Sequence, residues 1–145
     1  MPLPNAYENF IATLAAIDDE EVRLAYVIDL GRRQADASFP PEWKTDPNSM
    51  HGCLAAVWVV DEVECGRHWF RGHSDSLIVN GLIAIMTASF GGLTGAELEA
   101  LTLDHVRRFD LGALTAQRQV GLMAMLKHFQ KLARRSEHTE AIATE

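Results

Sequence analysis

Cys53 lies in the stretch His51-Gly52-Cys53-Leu54-Ala55-Ala56-Val57-Trp58, between a glycine and an apolar run. A thiol in that setting can be packing filler, a metal ligand, half of a disulfide or a nucleophile. The nucleophilic form is the thiolate, and a free cysteine titrates near about 8.5, so a neighbouring cation or hydrogen-bond donor is needed at neutral pH. His51 is two residues away, although the glycine between them leaves their relative geometry open. Asp75 and Arg118 are polar residues at the mouths of apolar helical segments, where they could face a shared cavity. Each also has a plain structural use: an exposed loop histidine, a helix cap and a first-turn surface arginine. No Ser/His/Asp set, glycine-rich phosphate loop or paired-carboxylate motif competes with Cys53.

Metal binding is the second chemistry to weigh. His51, Cys53, Cys65, His68 and His73 are borderline or soft ligands close in sequence. A tetrahedral zinc site wants two tight pairs that converge. His51-x-Cys53 is one weak pair and Cys65-x-x-His68 a better one. If the residues between them form a hairpin with Cys65 at its turn, the pairs lie at opposite ends of the ladder. A Cys53–Cys65 disulfide is disfavoured, because a reducing compartment keeps thiols apart and the chain has core enough without a staple.

The elements that position these residues are legible in outline. Asn5 with Glu8, and Asp18 with Glu21, have the spacing of reciprocal helix caps ahead of two apolar-faced helices, the second ending at Gly31. From Gln34 to Ser49 the prolines and polar residues predict a long irregular approach to Cys53. Leu54–Val63 and the run around Trp69, Phe70 and Arg71 predict a hairpin turning at Cys65-Gly66, with a third strand from Ser49–Gly52 or none. Ser74-Asp75-Ser76 opens a helix apolar almost all round, which Gly91-Gly92 closes. Thr94 with Glu97 caps a short helix, and Thr115 a long final one. The order ααββααα predicts an α+β fold.

The whole chain sets further bounds. Its 145 residues suit one domain over 1–145, with 136–145 reading as a disordered tail. A formal charge of -7 disfavours a phosphate backbone as partner, so no nucleic acid is expected. Asp18–Glu21 and the basic residues from Lys127 to Arg135 read as solvated helix faces. No apolar run reaches the roughly 18 residues of a membrane span, and the start carries no secretory pattern. A cytoplasmic protein with no membrane partner is the expectation.

An ordered set of short motifs adds a resemblance. Gly52-Cys53, Val57-Trp58, Gly72-x-Ser74-Asp75 and Gly81-Leu82-Ile83-Ala84 are followed by Leu111-Gly112, Leu114-Thr115, Arg118 and Gly121-Leu122-x-Ala124-Met125. Together they resemble the SufE family of sulfur-acceptor proteins, from about Leu14 to Arg134. The resemblance implies helices packed around a small curved antiparallel sheet, similar to iron–sulfur scaffold (IscU-like) proteins. It implies that Cys53 accepts persulfide sulfur from a PLP-dependent cysteine desulfurase and relays it to an iron–sulfur scaffold. Asp75 and Arg118 are the accompanying polar positions, with His51 beside the thiol. No cofactor or metal of the chain's own is implied, and any self-association would be a weak homodimer. The sequence departs from the family's pattern at Leu54-Ala55-Ala56 and Gln119-Val120, where polar or small residues are usual. Two alternatives stay open: a zinc- or cluster-binding scaffold, and a regulatory module that binds a desulfurase without taking sulfur.

Overall fold

The leading helices form where the apolar spacing places them, but with different ends. In the computed structural model α1 spans Asn5–Ala16 and α2 spans Glu20–Asp36. Pro4 rather than Asn5 precedes the first helical residue, and Glu8 is instead paired with Arg108, at 3.0 and 3.1 Å. Asp19, not Asp18, caps α2, its carboxylate accepting from Glu21 N and Val22 N. Gly31 does not end α2. It is buried against the next long helix, where a Cβ would overlap the Leu77 carbonyl oxygen. The structure describes residues 3–37, 39–50, 55–111 and 116–143, and side chains through all of these except 116–118 and 139–143. His51, Cys53 and the expected cap at Thr115 therefore lie outside the described residues.

Beyond α2 the irregular approach contains two 3-10 turns, Pro41–Trp43 and Asp46–Asn48. Strand β1, Val57–Glu64, then pairs antiparallel with β2, Arg67–Ser74, across the turn at Cys65-Gly66. Both turn residues have positive φ, 53° at Cys65 and 76° at Gly66, which is the geometry a tight two-residue hairpin demands. The third strand comes from neither expected source. It is β3, Leu93–Thr94, and it adds to β2 to give the order β1-β2-β3. Ser49 contributes only an isolated bridge to Trp58.

The expected curved sheet is a misreading. The sheet is a small, open three-stranded one, neither curved nor closed. Curvature needs bulges or kinks that break the pairing. Here the β1–β2 register runs without interruption from Val57↔Ser74 to Glu64↔Arg67, and β3 is only two residues long.

Helix α3, Leu77–Phe90, is the central one, with nine of its residues buried. Ser76 is its N-cap. Then come α4, Gly95–Glu99, and α5, Leu103–Arg107, the latter unforeseen because five residues carry little periodicity. Thr94 and Glu97 do form the reciprocal cap of α4. Helix α6, Ala116–Ala143, continues through the segment from 136 that reads as a tail, and Ser136 Oγ donates to Asp61 at 2.8 Å. The inner face of β2 meets α6 through Phe70 and Phe129, stacked with centroids 4.1 Å apart. Tyr7 ties α1 to α5 by donating to the His105 carbonyl at 2.7 Å.

The α2–α3 crossing is closest at two glycines. A Cβ on Gly81 would overlap the Val27 carbonyl oxygen and meet Val27 Cγ1 at 2.7 Å. Backbone atoms cannot yield as a flexible side chain can, so the helices would have to separate. Gly81→Ala is expected to lower the unfolding free energy by about 2 to 3 kcal/mol. Urea denaturation followed by far-UV circular dichroism measures this, and a change below about 0.5 kcal/mol would show that the crossing relaxes freely.

Candidate functional site

The segment that carries Cys53 leaves and rejoins the described backbone at neighbouring points. Met50 N donates to Val57 O at 2.8 Å, and Ser49 bridges Trp58. The ends of the span 51–56 are thus a hydrogen bond apart, at the start of β1. Asp75 follows the last residue of β2, is exposed, and sits next to Ser74, the register partner of Val57. The ladder therefore brings Asp75 to the same end of the hairpin as the root of the Cys53 segment. Arg118 belongs to the first turn of α6, and its side chain lies outside the described residues.

Cys65 and His68 do not converge. Cys65 is exposed in the hairpin turn, whereas His68 is 1% exposed on the inner face of β2. His68 Nδ1 lies 2.7 Å from Asp61 Oδ2, and Nε2 lies 3.3 Å from Glu137 Oε1. Both ring nitrogens are engaged by carboxylates from β1 and α6, so this imidazole holds two elements together and has no lone pair turned toward Cys65. Among the described residues no group of three or more His, Cys, Asp or Glu is arranged to hold a metal.

The outer face of the hairpin carries a cluster that sequence reading passed over. His73 stacks between Phe39, at 5.8 Å, and its register partner Trp58, at 6.4 Å. Trp43 packs edge-on against Phe39 at 5.5 Å. Lys44 lies 5.5 Å from the Trp58 ring, and the Arg71 guanidinium lies 4.7 Å from the Trp43 ring. These contacts fasten the 3-10 turn Pro41–Trp43 to the sheet near the root of the Cys53 segment. The available signal was the alternation Arg67, Trp69, Arg71, His73, which puts four large polar or amphipathic side chains on one sheet face.

The SufE family model, described as an Fe–S metabolism associated domain, matches residues 8–133. An uncharacterised SufE-like protein of Rhizobium meliloti is 33% identical, over 87% of this chain and 93% of its own length. The cysteine desulfuration protein SufE of Wigglesworthia glossinidia brevipalpis is 32% identical, over 87% of this chain and 88% of its own. Among solved structures, a hypothetical protein from Thermus thermophilus superposes with a TM-score of 0.74. It covers 94% of this chain and 99% of its own, at 17% identity, a likeness of fold.

His73 is the titrating member of the aromatic cluster. Burial and then Lys44 push its pKa below the ordinary 6.5, with Asp75 opposing. Its Nδ1 is buried without a hydrogen-bond partner among the described residues. A histidine with a depressed folded pKa binds more protons when unfolded, so its contribution to stability is fully present above about 6.5 and is lost as pH falls toward the folded value. The stability advantage of the parent over His73→Phe is therefore expected to be larger at about pH 7.5 than at about pH 5.5. Urea titrations at both pH values measure it, and an equal difference at the two would contradict the assignment.

Proposed function

The chain belongs to the SufE family, whose members accept and relay sulfur in iron–sulfur metabolism, and on that premise we propose that Cys53 is the acceptor. The sulfur comes from the persulfide of a PLP-dependent cysteine desulfurase, the pyridoxal cofactor belonging to that partner. The observation that carries the reading is the family match over residues 8–133, which contains Cys53. The domain is taken as 1–145, in the cytoplasm, with an iron–sulfur scaffold as the onward acceptor.

The transfer is an exchange at sulfur. The Cys53 thiolate attacks the outer sulfur of the desulfurase persulfide along the S–S axis. That S–S bond breaks as the new one forms, the desulfurase cysteine leaves as a thiolate, and Cys53 ends as Cys53–S–SH. The charge is conserved and no external oxidant or reductant takes part. The reverse logic hands the outer sulfur to the next thiolate.

Arg118 is assigned the role of favouring the anionic thiolate and persulfide, helped by its position in the first turn of α6, the positive end of the helix dipole. Asp75 is assigned to orient that guanidinium or the incoming partner from the end of β2. His51 is assigned as a nearby proton acceptor for the thiol. The bond from Met50 N to Val57 O supports these roles only in placing both flanks of Cys53 at the end of the hairpin where Asp75 lies. Leu54, Ala55 and Ala56 stand in sequence where the family usually has polar residues, so fewer hydrogen-bonding side chains follow Cys53 in this chain.

Incubation with a cysteine desulfurase and cysteine, followed by alkylation and peptide mapping, tests the assignment by mass spectrometry. One added sulfur atom is expected on the Cys53 peptide and none on the Cys65 peptide. Cys53→Ser is expected to abolish uptake, and Cys65→Ser to leave it intact. Full desulfurase stimulation by Cys53→Ser would replace the acceptor reading with that of a regulatory binding module.

A further inference from the structure

The chain from Phe39 to Asn48 crosses the outer face of the hairpin as a strap. Its backbone bonds close on themselves: Trp43 N, Lys44 N and Thr45 N donate to Pro40 O, Pro41 O and Trp43 O at 2.9 to 3.0 Å. Asn48 Nδ2 donates to Trp43 O at 2.8 Å, again within the segment. Among the described residues its backbone first meets the sheet at Ser49, bridged to Trp58, and at Met50. Ahead of that point the strap rests on ring and cation contacts.

Those contacts meet at one ring. His73 stacks on Phe39 of the strap at 22° and on Trp58 of β1 at 28°, so it joins the two layers. Trp43 leans on Phe39 and on the Arg71 guanidinium, and Lys44 on Trp58. A neutral imidazole suits this place. Aromatic faces favour a cation, but the protonated ring must carry a hydrogen at Nδ1, which is buried with no acceptor among the described residues. It also sets a second positive charge beside Lys44. The other charged groups offer little relief. Asp75, just beyond β2, opposes Lys44 but counts for less. Glu62 of β1 is paired with Arg71, and Glu42 and Asp46 of the strap are exposed to water. From α2 comes the uncharged Gln34 amide, bonded to Gly72 O.

We propose that His73 is a proton-operated catch for this strap. Neutral, it stacks the strap against the hairpin; protonated, it lets Phe39, Trp43 and Lys44 lift from Trp58 while the core stays folded. The core is independent because Val57, Val59 and Phe70 are buried on the other face of the sheet. The 3-10 bonds of the strap are internal, so lifting costs only the contacts between layers. The sign follows from linkage. Burial first, and Lys44 second, hold the folded pKa of His73 below the ordinary 6.5, and a lifted strap returns the ring to water. The closed form is therefore fully favoured above about 6.5 and loses ground as pH falls toward the folded value. The device senses mild acidity.

Acrylamide quenching of tryptophan fluorescence, followed from about pH 8 to about pH 5, reads the opening. Trp69→Phe is the background, because Trp69 lies over Gly91 and Gly92, and it leaves Trp43 and Trp58 as reporters. The quenching constant is expected to rise about twofold as pH falls, with far-UV circular dichroism unchanged. His73→Phe, which keeps a ring but cannot titrate, is expected to give a flat profile. Asp75→Asn, which removes an opposing anion, is expected to lower the midpoint, and Lys44→Gln to raise it. Opposite shifts mark a titration at His73, since mere loosening of the strap would move both the same way. A flat profile in the parent would overturn the proposal, as would a pH-dependent one that His73→Phe retains. Quenching that rises only with loss of the far-UV signal is general unfolding and overturns it too. If His73→Phe does not fold, the two charge variants decide, and shifts in one direction refute the catch.

Discussion

A helix with almost no polar surface needs cover on every side, and α3 obtains it from α1, α2, β2 and α6. That requirement organises the molecule. It draws α2 so close that glycine is needed at positions 31 and 81. It obliges the hairpin to turn one face inward, so that Val57, Val59 and Phe70 are buried while Arg67 and Trp69 face out. The final helix is then drawn across the inner face of the sheet, where Phe70 stacks on Phe129.

The polar groups buried inside this arrangement are few, and three of them join elements that hydrophobic contact alone would leave free to slide. His68 ties β2 to β1 and α6 through two carboxylates. Asn80 and Ser74 tie α3 to the end of β2 and to the chain before β1. Apolar packing is tolerant of small shifts, whereas a buried amide or imidazole has partners at fixed directions.

Sulfur relay asks little of a fold in the way of bond-making machinery. Persulfide exchange is chemically balanced by two sulfur nucleophiles, so the protein's contribution is presentation, shielding and a favourable charge environment. The family's sulfur-acceptor role suits a scaffold with a well-packed core, and Met50 and Val57 meet at one edge of it. The aromatic and cationic cluster of Trp43, Lys44, Trp58, Arg71 and His73 braces that edge from outside.

Much of this was legible in the order of residues. The apolar character of 77–90, the β-branched run after Ala56, the Cys65-Gly66 turn and the Thr94/Glu97 cap all express local preferences, which neighbouring residues determine on their own. The helix ends at Asn5, Asp18 and Gly31 were misread for the same reason that the others were read correctly. Capping spacings recur by chance, and a glycine that ends one helix permits a close crossing in another. Only the tertiary structure decided that the third strand is Leu93–Thr94 and that the sheet is flat and open, since strand pairing joins residues distant in sequence. The same holds for the Asn80 amide, a liability in its helix until β2 brings Ser74 within reach. The motif series around Cys53 was carried by the sequence, while the bonds made by Met50 and Ala56 on either side of it came from contacts that only the folded chain creates.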